Sequence, residues 1–240
     1  MTRPYGFRLF STFVATILLG SIPAFGVITV EVNPAVSFQQ TINNPCVIGD
    51  SSCKQPAGMT YTAYAGTPLS QGSTYDAYSP TYTYAQLVGF MGGQTSFRIG
   101  IDENFATGGG NEVLNDLTVW YCPTGTCTTF AANFFDPPSG SKDAQLIAAG
   151  YSVLDQTATT YILTTHNGNG FSDALSSSIS IAGLTNAKFI FEGAISNDTD
   201  GMEEFFLIPA NAPPVPEPTS ILLLGTILLV SGIGLRRRLS

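Results

Sequence analysis

Positive charge is what this sequence lacks most. Its 240 residues include nine Lys or Arg against 17 Asp or Glu, a formal net charge of −8, and a single histidine. The shortage is sharper away from the ends. Arg3, Arg8 and Arg236–Arg238 are terminal, which leaves Lys54, Arg98, Lys142 and Lys188 against all 17 acids between Glu31 and Glu217, about −13 for a body trimmed at both ends. Such a body repels nucleic acid and anionic membrane surfaces and attracts divalent cations. One histidine excludes a two-histidine zinc centre and a zincin motif. A Ser–His–acid triad would have to recruit His166 from the turn-like run Thr165-His166-Asn167-Gly168. The nearest approach to a nucleophile elbow, Gly170-Phe171-Ser172-Asp173-Ala174, lacks the second glycine. Long helical periods are missing too, and long apolar runs occur only at the two ends.

At the start, Arg3 and Arg8 precede an apolar run over Leu9–Leu19, and Ser21-Ile22-Pro23-Ala24-Phe25-Gly26 ends on small residues at Ala24 and Gly26. This is the layout of a secretory signal peptide over residues 1–26, cut before Val27. An N-terminal membrane helix fits less well, because the run is short and Pro23 interrupts it. At the other end, Val215-Pro216-Glu217-Pro218 comes first, then an apolar, charge-free segment within 219–235, then Arg236-Arg237-Arg238. Two prolines one residue apart hold the chain extended, the form a protease cleft accepts. About 15 to 17 helical residues reach about 22–26 Å, against about 30 Å of hydrocarbon. The arginines make up the mismatch by snorkelling, and they mark their side as cytoplasmic.

This order closely resembles the PEP-CTERM sorting signal of Gram-negative, exopolysaccharide-producing bacteria. The resemblance covers residues 215–240, about a tenth of the chain. It implies recognition by an exosortase, an integral-membrane cysteine protease–transpeptidase that removes the tail. The precursor is then held in the inner membrane with its body outside the cytoplasm, and the product belongs to the cell surface or the extracellular space. The simpler alternative is a plain single-pass anchor. Between the ends lie a body at 27–208 and a Pro/Ala linker at 209–214.

Four cysteines fall in two close pairs, Cys46/Cys53 and Cys122/Cys127. In an exported chain they predict two disulfides; a four-cysteine zinc site would want two-residue spacings. Val113–Tyr121 and Thr128–Phe135 read as strands, so the second pair is expected to clamp the turn of a hairpin.

Strand signals dominate the body. They fall at Val27–Val32, Phe38–Ile42, Ser96–Ile101, Tyr151–Leu154, Tyr161–Thr165, Ser178–Ile181, Lys188–Glu192 and Glu203–Ile208, with turn formers between them. Residues 55–80 read as loop and irregular edge strand, Tyr82–Phe90 as ambiguous, and Lys142–Ala149 as the one short helix. The fold expected is all-β, an antiparallel sandwich of jelly-roll or immunoglobulin-like topology.

Adjacent acids occur at Asp102-Glu103 and Glu203-Glu204. Neighbours on a strand point to opposite faces, so neither pair makes an acid/base dyad alone. A glycosidase would need carboxylates gathered from separate strands. The run Asn197-Asp198-Thr199-Asp200-Gly201-Met202-Glu203-Glu204 offers Asp198, Asp200 and Glu203 as candidate Ca²⁺ ligands, although it departs from the EF-hand pattern. The run from Asp102 to Glu112 is a second such loop, and ordinary turn chemistry accounts for both. The expected function is that of a non-enzymatic surface or matrix protein without a resident cofactor. The alternative is a carbohydrate-binding, lectin-like or adhesion module that recognises exopolysaccharide through exposed Tyr and Trp120. Exposed tyrosines in 61–84 favour binding, and buried ones favour structure.

Overall fold

The computed structural model describes residues 26–63, 73–103, 112–132, 134–136, 142–164, 170–198 and 203–215; the leader up to residue 25, Pro216–Pro218, the segment 219–235 and Arg236–Arg238 lie outside this set. Two mixed sheets face one another. One contains β1 (Gly26–Ile28), β5 (Ser73–Tyr78), β6 (Tyr82–Thr83), β8 (Val113–Cys122), β9 (Phe134–Asp136), β10 (Ser152–Thr157), β11 (Tyr161–Ile162) and β14 (Lys188–Asp198). Its main path runs β1-β10-β8-β14-β5-β9. The other contains β2 (Val30–Val32), β3 (Cys46–Gly49), β4 (Thr62–Ala63), β7 (Ser96–Asp102), β12 (Ala174–Ser176), β13 (Ile179–Ser180) and β15 (Glu204–Pro209). Its path is β2-β12-β7-β15-β3-β4. Two short helices, α1 (Tyr84–Phe90) and α2 (Lys142–Ala148), complete the elements. No helix among the described residues is long and apolar enough to cross a membrane.

Alternation builds the core. Phe97, Ile99 and Ile101 of β7, Leu117, Val119 and Tyr121 of β8, and Phe205 and Leu207 of β15 meet in one buried cluster between the sheets. The sheets interlock at Gly193 of β14, where a Cβ would sit 2.6 Å from the Phe205 ring. Glycine is required there because the opposite sheet fills the space of its side chain.

The pairing is mixed rather than wholly antiparallel: β1–β10 and β3–β4, at sheet edges, run parallel. Val27–Val32 is two strands, one in each sheet. The chain changes sheets at Thr29, whose N–H donates to Ser177 Oγ and whose carbonyl accepts the Ser177 N–H. Phe38–Ile42 makes only isolated bridges, at Gln39 and Thr41.

Both disulfides form, with S–S distances of 2.03 and 2.01 Å. The hairpin expected around the second does not. Cys122–Cys127 closes a turn at the end of β8, and β9 pairs with β5 instead. The intervening run bonds elsewhere: Phe130 exchanges hydrogen bonds with Thr81, Thr128 O accepts from Tyr151 Oη, and Cys127 O accepts from Lys188 Nζ. The ambiguous stretch 82–90 contains α1, begun by a capping box in which Thr83 and Gln86 cap each other. The Pro/Ala stretch is held to the body, since Ala210 N donates to Ser96 O and Val215 N to Ser37 O.

Gly193→Ala is expected to cost about 1–3 kcal/mol by driving a methyl into the Phe205 ring. Urea denaturation measures this directly, and an unchanged midpoint would show that the sheets do not interlock there.

Candidate functional site

The outer face of the first sheet gathers carboxyls that lie far apart in sequence. Tyr78 of β5 is opposite Glu192 of β14, which is opposite Thr118 of β8; two residues along, Asp76, Ala194 and Asp116 line up. Directly opposed residues share a face. The alternate residues Ala77, Phe191 and Val119 belong to the inter-sheet core, so this row faces away from it. Helix α2 brings Asp143 over the row. The Tyr78 hydroxyl then lies 2.8 Å from Asp143 Oδ1, 3.0 Å from Asp76 Oδ2 and 3.2 Å from Glu192 Oε1. The other Glu192 oxygen accepts the Trp120 Nε1–H at 2.6 Å.

Counting protons decides what this arrangement is. A phenol has one proton to donate. One carboxylate receives it, and the other two approaches attract only if the carboxyl brings its own proton. Burial, and after it Asp76, Asp116 and Asp143, push Glu192 up to about 9, against the pull of Trp120. Burial, and after it Glu192, Asp76 and Asp143, hold Tyr78 neutral. Asp116, at the rim, is met by Thr118 Oγ1, Thr157 Oγ1 and Gln156 Nε2.

A second cluster occupies the outer face of the other sheet. Asp102 of β7 is directly opposite Glu204 of β15, and they are 1% and 3% exposed. Asp102 Oδ2 accepts the Gly170 N–H at 2.5 Å, and Glu204 Oε1 accepts from Ser52 Oγ at 2.6 Å. Burial raises Asp102 to about 8, reinforced by Asp173, Glu204 and Asp50. Burial raises Glu204 as well, with Ser52 opposing. The loop closed by Cys46–Cys53 lies against Glu204, with both sulfurs within 4.8 Å of its carboxylate. Sulfur in a disulfide has no thiolate to offer, so this trio is not a metal centre.

Glu103, Glu112 and Glu203 are 1%, 0% and 0% exposed, at the ends of β7, β8 and β15. Strand alternation carries them toward the inter-sheet side, that of Ile101, Leu114 and Phe205. The two stretches singled out for Ca²⁺ therefore converge on one end of the body through Asp102 and Glu204. Of the three candidate ligands, Glu203 is buried there and Asp198 ends β14 opposite Ser73, while Asp200 lies outside the described residues. His166 lies outside them too. Ser172 is buried, and its Oγ accepts the Phe38 N–H at 3.0 Å.

Sequence reasoning missed the Tyr78–Glu192 cluster, since its members come from three strands, β5, β8 and β14, and a helix with no shared spacing. Trp120 is core-like, 4% exposed, but it packs in the outer cluster with Tyr78, Leu146, Tyr151 and Ile190. A groove of about 540 Å³ runs past it, lined also by Val27, Ile147, Tyr151 and Val153. With Trp120 and Tyr151 4% and 2% exposed, the groove offers a sugar no free aromatic face. Tyr78 and Tyr82 are buried as well. Comparison with family models, with curated proteins and with solved structures finds no match to this chain.

The raised carboxyls set the pH dependence. The folded protein keeps protons that the unfolded chain releases near pH 4, so stability is full below that value. It falls as pH rises, until Asp102 and Glu192 ionise near 8 and 9. The expected slope is at most about 1.4 kcal/mol per pH unit for each group. Thermal melts at pH 5 and pH 9 check the sign: the Tm is expected to be lower at pH 9, and Glu192→Gln to flatten the difference. A pH 9 Tm restored by millimolar Ca²⁺ would assign the clusters to a cation instead. Trp120, the sole tryptophan, reports its neighbour directly. Its emission is expected to titrate with a midpoint near 9, the value to which Glu192 is raised, and to stop doing so in Glu192→Gln.

Proposed function

We propose that this is an exported, non-enzymatic cell-surface or extracellular-matrix protein whose tail, Val215–Ser240, directs sorting and cleavage by an exosortase. One observation carries the reading: Val215-Pro216-Glu217-Pro218, the apolar segment 219–235 and Arg236–Arg238 stand in the order and spacing of a sorting signal. The body supports it in three ways. Both cysteine pairs are oxidised, which suits a compartment outside the cytoplasm. Of the described tyrosines in 61–84, Tyr78 and Tyr82 are buried and Tyr61 and Tyr84 half-buried, and none stands fully exposed, which favours a structural body over a sugar-binding one. Val215, the first residue of the motif, is bridged to Ser37, so the folded body reaches the motif without slack.

We read the body as a jelly roll. The chain passes from one sheet to the other seven times, and four of these connections join strands in matching places: β3 through β4 to β5, β7 to β8, β10 through β11 to β12, and β14 to β15. The strands they join occupy matching places, β3-β15-β7-β12 in one sheet and β5-β14-β8-β10 in the other. That matched order is the reason to prefer a jelly roll to an immunoglobulin-like arrangement.

The sorting reading is tested by intact mass and cell fractionation in hosts with and without an exosortase. Wild type is expected to lose its tail from near Pro218 only where the enzyme is present. Replacing Pro216, Glu217 and Pro218 together by alanine is expected to leave the protein whole in the inner membrane. A wild-type mass ending at Ser240 in both hosts would reduce the tail to a plain anchor.

A further inference from the structure

The start of the body suggests how processing there is used. β1 is a three-residue strand at the edge of its sheet, paired in parallel with β10, with Gly26 opposite Asp155 and Val27 opposite Gln156. The Asp155 carboxylate rests on Gly26 so closely that a Cβ there would overlap it. The backbone nitrogen of Val27 is two bonds from that Gly26 Cα. Asp155 is partly buried, and burial is the only influence raising its carboxyl; no charge or hydrogen bond offsets it. Among the described residues, a half-buried carboxylate is thus held without a counter-charge beside the peptide bond that the leader pattern marks for cutting.

We propose that removal of the leader after Gly26 creates an ion pair between the new α-ammonium of Val27 and the Asp155 carboxylate, and that this pair fastens β1 in the mature protein. The inference rests on the signal-peptide reading of residues 1–26. The step is hydrolysis by a signal peptidase: one water cleaves the Gly26–Val27 bond, the leader leaves with a Gly26 carboxylate, and the Val27 amine takes up a proton at neutral pH. A chain end on an edge strand ordinarily frays. Here the charge made by the cut meets the one carboxylate placed beside it. Gly26 serves twice before it leaves with the leader, as the small residue the peptidase accepts and as the residue whose missing side chain lets Asp155 lie beside the bond to be cut.

Two measurements on the full chain, expressed in a secreting host, separate the premises. The N-terminal mass tests the cut: a start at Val27 is expected, and any other start overturns the proposal at its first step. On protein that starts at Val27, Tm is compared for wild type and Asp155→Asn, each before and after selective acetylation of the α-amine. Each single change is expected to lower Tm by about 3 °C, and the two together by no more than one alone. Acetylation of the wild type needs no variant to fold, so it decides the matter if Asp155→Asn is not secreted. No shift on acetylation, or losses that simply add, would show that Val27 and Asp155 do not pair although the cut is correct.

Discussion

A carboxyl removed from water with no base beside it must keep its proton or lose part of its reason to stay buried. That constraint runs through this protein. Four basic residues serve the whole body, yet Asp102 and Glu192 are 1% and 3% exposed, and burial raises both. The chain meets the constraint by sharing donors. Tyr78 holds three carboxyls about one phenol proton, Trp120 takes the far side of Glu192, and Ser52 and the Gly170 amide take one oxygen each of Glu204 and Asp102. Each contact needs a strand or helix held in one register, so the polar clusters depend on the interlocked sheets beneath them.

The disulfides and the glycines serve that placement. Cys46–Cys53 presses its loop onto the face that carries Glu204, and a Cβ at Gly49 would meet both the Cys53 sulfur and the Glu204 side chain. The other bridge turns the chain at the end of β8, beside Trp120 and Tyr151. The body is acidic, both described cysteine pairs are oxidised, and Tyr78, Tyr82, Trp120 and Tyr151 are turned inward. The proposed sorting tail begins where that body ends, at Val215.

What was legible in the sequence followed from periodicity and length. Ser96–Asp102 alternates and Val113–Cys122 is long and apolar, and both are strands where expected. Lys142–Ala148 is the helix its composition announced, and the cysteines paired by proximity. Short elements were not legible. β12 has three residues and β3 four, too few for a period to declare itself. Helix α1 carried a readable signal, the Thr83–Gln86 capping box, but its tyrosines and threonines weigh toward strand. The mistaken hairpin at Cys122 shows the limit of local reasoning, because β9 found its partner in β5, far back in the chain. The carboxyl clusters were hidden for the same reason: they exist only through the register of β5, β14 and β8, and of β7 with β15.

The most direct test of the proton account is the difference in bound protons between the folded and the urea-unfolded protein at pH 7, by potentiometric titration. With Asp102 raised to about 8 and Glu192 to about 9, the folded protein is predicted to hold about two more protons than the unfolded chain. Equal proton counts in the two states would contradict the account and require the buried carboxyls to be neutralised by something other than hydrogen ions.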